Sequence, residues 1–259
     1  MDLGIAGRKA IVCASSKGLG KAAAMALAQA GCDVVINGRD GATLAAAAKE
    51  IGAHATGKII PVACDVGTPE GRSALLSACP APDILINNNG GPPPKAFRAI
   101  AAADIMAGVE ANMITPIALI QMVLDGMIQR KFGRIINITS SSVKMPITGL
   151  DVSSGARAGL TAFLAAMARE AAKDGVTINS VQPGMFDTDR LRGSTARMAE
   201  LQKMSAEEVA RTRKASVPAR RFGDPAEFGN LCAFLASRHA GYITGQNLLI
   251  DGGLFPGAF

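Results

Sequence analysis

Residues 9–20 read Lys9-Ala10-Ile11-Val12-Cys13-Ala14-Ser15-Ser16-Lys17-Gly18-Leu19-Gly20. A short apolar run enters a turn with two glycines, and the alanine-rich stretch at 21–30 has helical composition. A strand, a glycine turn and a helix in that order make a phosphate site. Glycine lets the backbone approach a pyrophosphate, and the helix N-terminus presents unpaired N–H groups to it. The Gly-x-Gly pair is common by itself; its place between strand and helix gives it meaning.

The same alternation continues outward. Strands are predicted at 9–14, 33–37, 59–64, 83–87, 134–139, 177–181 and 247–250. Helices are predicted at 21–30, near 42–51, 69–78, 103–130 and 153–173, and at 225–236. The strands are apolar almost throughout, as in a parallel sheet covered on both faces. Regular β–α alternation implies an α/β fold: a single Rossmann-type doubly wound domain of seven parallel strands, with helices on both faces and right-handed crossovers. Only 189–218 breaks the rhythm. This charged, mostly helical insertion is read as a substrate lid.

Composition limits the alternatives. With 259 residues, 49% of them hydrophobic, the chain can bury one large core. No apolar run approaches the ~20 residues of a membrane span. The N-terminus lacks the charged-then-apolar pattern of a secretory signal, so a cytoplasmic location with no membrane partner is expected. Cys13, Cys32, Cys64, Cys79 and Cys232 lack ligand spacing and read as buried thiols in a reducing compartment. With only His54 and His239 available, no metal site is expected. The net charge of +6 is local: residues 190–221 carry nine basic and three acidic side chains, which is the whole excess. Without interleaved aromatics this segment is read as a solvated helix face or an attractor of anionic ligands, not as a nucleic-acid surface.

The second strand ends in Asn37-Gly38-Arg39-Asp40. An acidic residue at that tip would hold the ribose 2′-hydroxyl of NAD, whereas an arginine accommodates the 2′-phosphate of NADP. Arg39 and Lys17 bring two cations there, and a planar guanidinium bonds two phosphate oxygens at once. NADP(H) is therefore favoured over NAD(H).

Over residues 5–255 the chain resembles the short-chain dehydrogenase/reductase family. Gly18 and Gly20 fill the last two glycine places of its Thr-Gly-x-x-x-Gly-x-Gly fingerprint, with Cys13 and Ala14 where Thr and Gly are usual. Asp65, followed by Val66, matches an adenine-contacting Asp, and Asn87-Asn88-Asn89-Gly90 looks like Asn-Asn-Ala-Gly. Asn112 falls where an active-site Asn interrupts the long helix. The segment from Pro183-Gly184 to Thr188 resembles one whose Thr meets the nicotinamide carboxamide, and 241–246 with Asp251-Gly252-Gly253 is similar to the C-terminal signature. The resemblance implies cofactor contacts from Ala14, Ser16, Lys17, Gly18, Leu19, Gly20, Arg39, Asp65, Val66, Asn88, Gly90, Arg157, Pro183, Gly184 and Thr188.

The catalytic positions depart from the family. Its Ser polarises the substrate carbonyl, its Tyr transfers the proton, and a Lys four residues later lowers the phenol's pKa and holds the nicotinamide ribose. Ser140 stands in the serine's place. Aligning Arg157-Ala158-Gly159-Leu160 with Lys-Ala-Gly-Leu puts Arg157 at the lysine and Ser153 at the tyrosine. The only tyrosine, Tyr242, lies in the C-terminal motif. A phenol titrates near about 10 and a neighbouring cation can lower it; a serine hydroxyl is far less acidic, and arginine does not release its proton as lysine can. The phenol route is closed. Lys144, just beyond the fifth strand, is an alternative acid if shielded from water. Asp151 is a second candidate, though it reads more simply as a helix N-cap. Ser-Ser-Val-Lys without the Tyr and Lys resembles a divergent subgroup of 3-oxoacyl-(acyl-carrier-protein)-reductase-like members.

Two functions stay open. One is an NADP(H)-dependent oxidoreductase with an atypical active site, acting on a small carbonyl or secondary alcohol, anionic or carrier-linked substrates included. Its catalytic residues are Asn112, Ser140, Ser153 and Arg157, with the proton from Lys144 or water. The other is a non-catalytic NADP(H)-binding homologue, a redox sensor or scaffold. A Rossmann-like site for another adenosine ligand fits the motifs less well. Family members usually pair as homodimers or homotetramers through helices after the fourth and fifth strands. The apolar run 114–120 suits that contact and core burial equally.

Overall fold

The computed structural model describes residues 1–258. Seven strands, β1 (Lys9–Val12), β2 (Asp33–Gly38), β3 (Ile59–Ala63), β4 (Ile84–Asn87), β5 (Gly133–Ile138), β6 (Val176–Pro183) and β7 (Asn247–Ile250), form one sheet in the order β3-β2-β1-β4-β5-β6-β7. Every pairing is parallel. Helices α1 (Gly18–Gln29), α2 (Gly41–Gly52), α3 (Pro69–Ala78), α4 (Ala102–Val109), α5 (Thr115–Gln129), α6 (Asp151–Ala172), α7 (Asp189–Gln202), α8 (Ala206–Ser216) and α9 (Pro225–Ala236) complete the chain.

The strands are continuously apolar because both faces are buried. Side chains alternate along a strand, so Ala10 and Val12 of β1 pack into one core layer and Ile11 into the other. Likewise Ile84 and Ile86 of β4 face one layer and Leu85 the opposite one. The doubly wound architecture read from the sequence is the architecture found.

Several boundaries move for identifiable reasons. β1 ends at Val12 rather than residue 14, because Ala14 adopts a left-handed φ of 44° that no strand tolerates. α1 starts at Gly18 rather than residue 21, so the glycine turn is itself the helix's first turn. The long helix predicted at 103–130 is α4 and α5 joined by a π-helical turn, Glu110–Ile114, that contains Asn112. The span Ala102–Gln129 is long and apolar enough by composition to cross a membrane, yet Leu119, Ile120, Val123, Leu124 and Met127 are buried in the core layer beneath it. Asp151 is not an N-cap: Leu150 takes that place and Asp151 is the first residue of α6, where a carboxylate favours the positive helix end. The charged insertion folds as two helices, α7 and α8. They turn through left-handed Lys203, and Ser205 and Glu208 form a reciprocal capping box on α8.

Candidate active site

The strand order reverses between β1 and β4, which opens a crevice at their C-terminal ends. The turn after β1 lies there, fastened by a buried residue that the sequence reading passed over. Asn37, at the end of β2, accepts the Ala14 N–H on Oδ1 at 3.1 Å. Its Nδ2 donates to the carbonyls of Val62 at 3.2 Å and Cys64 at 3.0 Å. Ser15 Oγ donates to Val12 O at 2.7 Å and accepts the Asn37 N–H at 2.9 Å. Asn88 Nδ2 donates to Ala14 O at 3.2 Å, tying the loop after β4 to the same turn.

Gly20 is required by space. A Cβ there would lie 2.4 Å from Ala14 O and 2.8 Å from Asn88 Nδ2. Leu19 packs against the core, and Ser16 sits against Gly38 at the tip of β2. The N-cap of α1, Lys17, makes no side-chain cap, and no acidic residue lies in the first turn. The N–H groups of that turn therefore have no acidic cap from the turn itself, which suits a phosphate. Lys17 and Arg39 are both exposed beside it. Asp40 does not compete for a ribose. Hydrogen bonds from Thr43, and more weakly the charge of Lys17, hold it below the usual carboxylate range while it caps α2. These features fit a dinucleotide carrying an additional phosphate.

The other predicted cofactor residues have local structural jobs of their own. Asp65 accepts the Gly67 N–H at 2.8 Å, and Val66 is buried. Gly184 follows Pro183 at the end of β6 and donates its N–H to Ile250 O at 2.9 Å. Thr188 caps α7 by accepting the Leu191 N–H at 3.3 Å, and its methyl faces Gly18 of the phosphate turn.

At the reacting end three residues join in one chain of hydrogen bonds. Ser153 Oγ donates to Asn112 Oδ1 at 3.1 Å, and Asn112 Nδ2 donates to Gly90 O at 3.2 Å. Arg157 Nε donates to Ser153 Oγ at 3.2 Å, Nη1 to Ile138 O at 2.7 Å and Nη2 to Asn89 O at 3.3 Å. The π turn delivers Asn112, and one turn of α6 spaces Ser153 from Arg157. Asn89 also takes part, which the reading did not assign. Its Nδ2 donates to Ala111 O at 3.2 Å and its Oδ1 accepts the Gly90 N–H at 2.8 Å.

Arg157 is only 6% exposed, and its acceptors are all neutral. Burial, and then the nearby charge of Arg190, push its guanidinium from 12.5 down to about 10. It stays protonated at neutral pH: a fixed cation, not an acid. Beside it a cavity of about 20 Å³, large enough for one water, is lined by Asn87, Asn112, Thr115 and Asn137 together with Leu119 and Leu160.

Ser140 sits in the loop after β5, where its Oγ accepts the Ser142 N–H at 3.1 Å. Lys144 is not part of the hydrogen-bonded chain; its Nζ lies 5.8 Å from the centre of the Phe255 ring. Tyr242 is fully exposed and follows Gly241, which packs against Arg134 near the start of β5, at the sheet end away from the crevice.

A family model described as enoyl-(acyl carrier protein) reductase matches residues 13–255. The 3-oxoacyl-(acyl-carrier-protein) reductase FabG of Vibrio cholerae is 34% identical, covering 98% of this chain and 99% of its own. The NADPH-dependent reductase BacG of Bacillus subtilis is 31% identical, covering 95% and 97%. The crystal structure of L-sorbose reductase from Gluconobacter frateurii, complexed with NADPH and L-sorbose, is 27% identical with a TM-score of 0.93, over 99% of this chain and 100% of that one.

Proposed function

The chain belongs to the short-chain dehydrogenase/reductase family, and from that premise we propose an NADP(H)-dependent oxidoreductase that interconverts a carbonyl and a secondary alcohol without a phenol. Its place is in a divergent branch resembling 3-oxoacyl-(acyl-carrier-protein) reductases. The carrying observation is the chain Asn112–Ser153–Arg157, held at the strand ends beside a turn built for a pyrophosphate.

When bound, the nicotinamide supplies or accepts the hydride. The protein's residues bind and orient. The N–H groups opening α1 would hold the pyrophosphate, Lys17 and Arg39 the 2′-phosphate that distinguishes NADP(H) from NAD(H), and Arg157 the nicotinamide ribose. Ser140 uses an acceptor lone pair on the Ser142 N–H, so its hydroxyl hydrogen is left to donate to a substrate oxygen. The proton comes from the Lys144 ammonium in the following loop, or from water. Losing one general acid costs about 10²–10⁴-fold, which slows hydride transfer without abolishing it. α7 and α8 form the lid over a small substrate. Apolar side chains exposed on α5 and α6, Met122 and Phe163 among them, make the contact of a homodimer or homotetramer.

The second reading, a cofactor binder without turnover, draws on Ser153, whose hydroxyl is already engaged by Arg157 and Asn112. NADPH fluorescence on mixing, followed by oxidation over a panel of ketones and diones, separates the two. NADPH uptake with no oxidation of any panel member, unaffected by Lys144→Ala, favours the binder. Genuine turnover that survives Lys144→Ala unchanged removes Lys144 as the acid.

A further inference from the structure

We propose that Arg190 makes this site selective for substrates that carry a carboxylate beside the reacting carbonyl. The inference rests on the oxidoreductase reading above and names its substrate class. Arg190 is the second residue of α7. A methyl group placed on Gly91 would lie 3.2 Å from Arg190 Nη2, 3.2 Å from Ser153 Oγ and 3.7 Å from Asn112 Oδ1. The lid-base guanidinium thus comes close to the Gly91 loop, beside two members of the reacting-end chain.

That guanidinium has no counter-charge. The two carboxylates closest in sequence, Asp187 and Asp189, are both taken by Arg192, at 2.5 and 2.7 Å. Among the described residues no carboxylate forms a salt bridge with Arg190 or with Arg157. Two like charges near one another without an anion repel, and a bound anion relieves the repulsion. A guanidinium fork matches the two oxygens of a carboxylate. Because Ser153 stands where the family moves the proton, the reacting oxygen lies nearby and the carboxylate sits adjacent to it. Within the insertion Arg192 braces the lid base against aspartates, whereas Arg190, an exposed residue, reaches the Gly91 loop with its Nη2.

The test compares acids with their methyl esters, pyruvate with methyl pyruvate and acetoacetate with methyl acetoacetate. Calorimetry measures NADPH binding first and then each probe on NADPH-saturated protein. Wild type and the charge-matched control Arg197→Gln should bind the acids about tenfold or more tighter than the esters. Arg190→Gln should erase that preference, with ester and NADPH affinities within about twofold of wild type. No acid preference in wild type overturns the proposal, as does a preference retained in Arg190→Gln. A loss of NADPH affinity matching the loss of acid affinity overturns it too, since the arginine would then serve the cofactor. If NADPH is not taken up at all, the oxidoreductase reading fails, and the acid–ester comparison on the protein alone still decides Arg190 by the same outcomes.

Discussion

Removing the Asn37 amide should damage both the fold and the cofactor site. Asn37 is 2% exposed and is the partner of the Ala14 N–H, so Asn37→Ala leaves that amide unpaired in a half-buried turn. An orphaned buried donor costs about 1–3 kcal/mol, and loss of the shared bonds to Val62 O and Cys64 O adds about 1 kcal/mol. The expected loss is about 2–4 kcal/mol, or roughly 5–12 °C in Tm for a domain of this size. Urea and thermal melts at fixed protein concentration measure it. Asn37→Asp keeps the oxygen for Ala14 but turns a second oxygen toward two carbonyls, burying an unpaired charge. At neutral pH it should be at least as damaging as the alanine. Because Ala14 and Asn88 line the same turn, both variants should weaken NADPH by about tenfold. A loss below about 1 kcal/mol for Asn37→Ala, or an Asn37→Asp as stable as wild type, would refute the clamp.

Arg39→Glu should weaken NADPH by about 10–100-fold while leaving NADH unchanged or tighter in paired titrations; equal losses for both would remove the 2′-phosphate role. Ala14→Gly should raise the urea midpoint by the equivalent of about 0.5–1 kcal/mol, because alanine at φ 44° is strained where glycine is not, less the glycine's larger unfolded-state entropy. A destabilised Ala14→Gly would count against that strain. Glu227 is held at about 2, below its ordinary 4.5, chiefly by its hydrogen bond with Arg221 and then by the Asp224 N–H. A depressed carboxylate stabilises the fold above its unfolded pKa, and that contribution drains away as pH falls toward the folded value. The Tm gap between wild type and Glu227→Gln should therefore shrink as pH is lowered from about 5 to about 3; a gap that ignores pH rejects the pairing.

Legibility followed locality. The alternation of apolar runs and helical stretches lies within short windows, and every strand of the sheet was placed from it with shifts of at most two residues at either end. The misplaced ends had local causes that composition hides. Ala14 took a conformation proper to glycine, and Leu150 displaced a plausible aspartate cap. Ser153, Arg157 and Asn112 could be nominated from spacing. Their mutual hydrogen bonds could not, since Ser153 and Asn112 are 41 positions apart. Asn37 went unremarked because its value lies in partners 23 to 27 residues away.

Determined by the sequence alone were the parallel sheet, the glycine turn after the first strand, the arginine at the second strand's tip and the lack of any tyrosine but Tyr242. Each is written in one contiguous segment, where backbone preference and side-chain chemistry act without distant partners. Tertiary structure alone decided what Arg190 meets, whereas the aspartates that neutralise Arg192 lie within five residues of it in sequence. Arg190 and Arg192 are nearly adjacent in sequence, yet one faces two aspartates and the other the hydroxyl and amide of a buried network. Charge compensation depends on separation in space, and folding sets that separation.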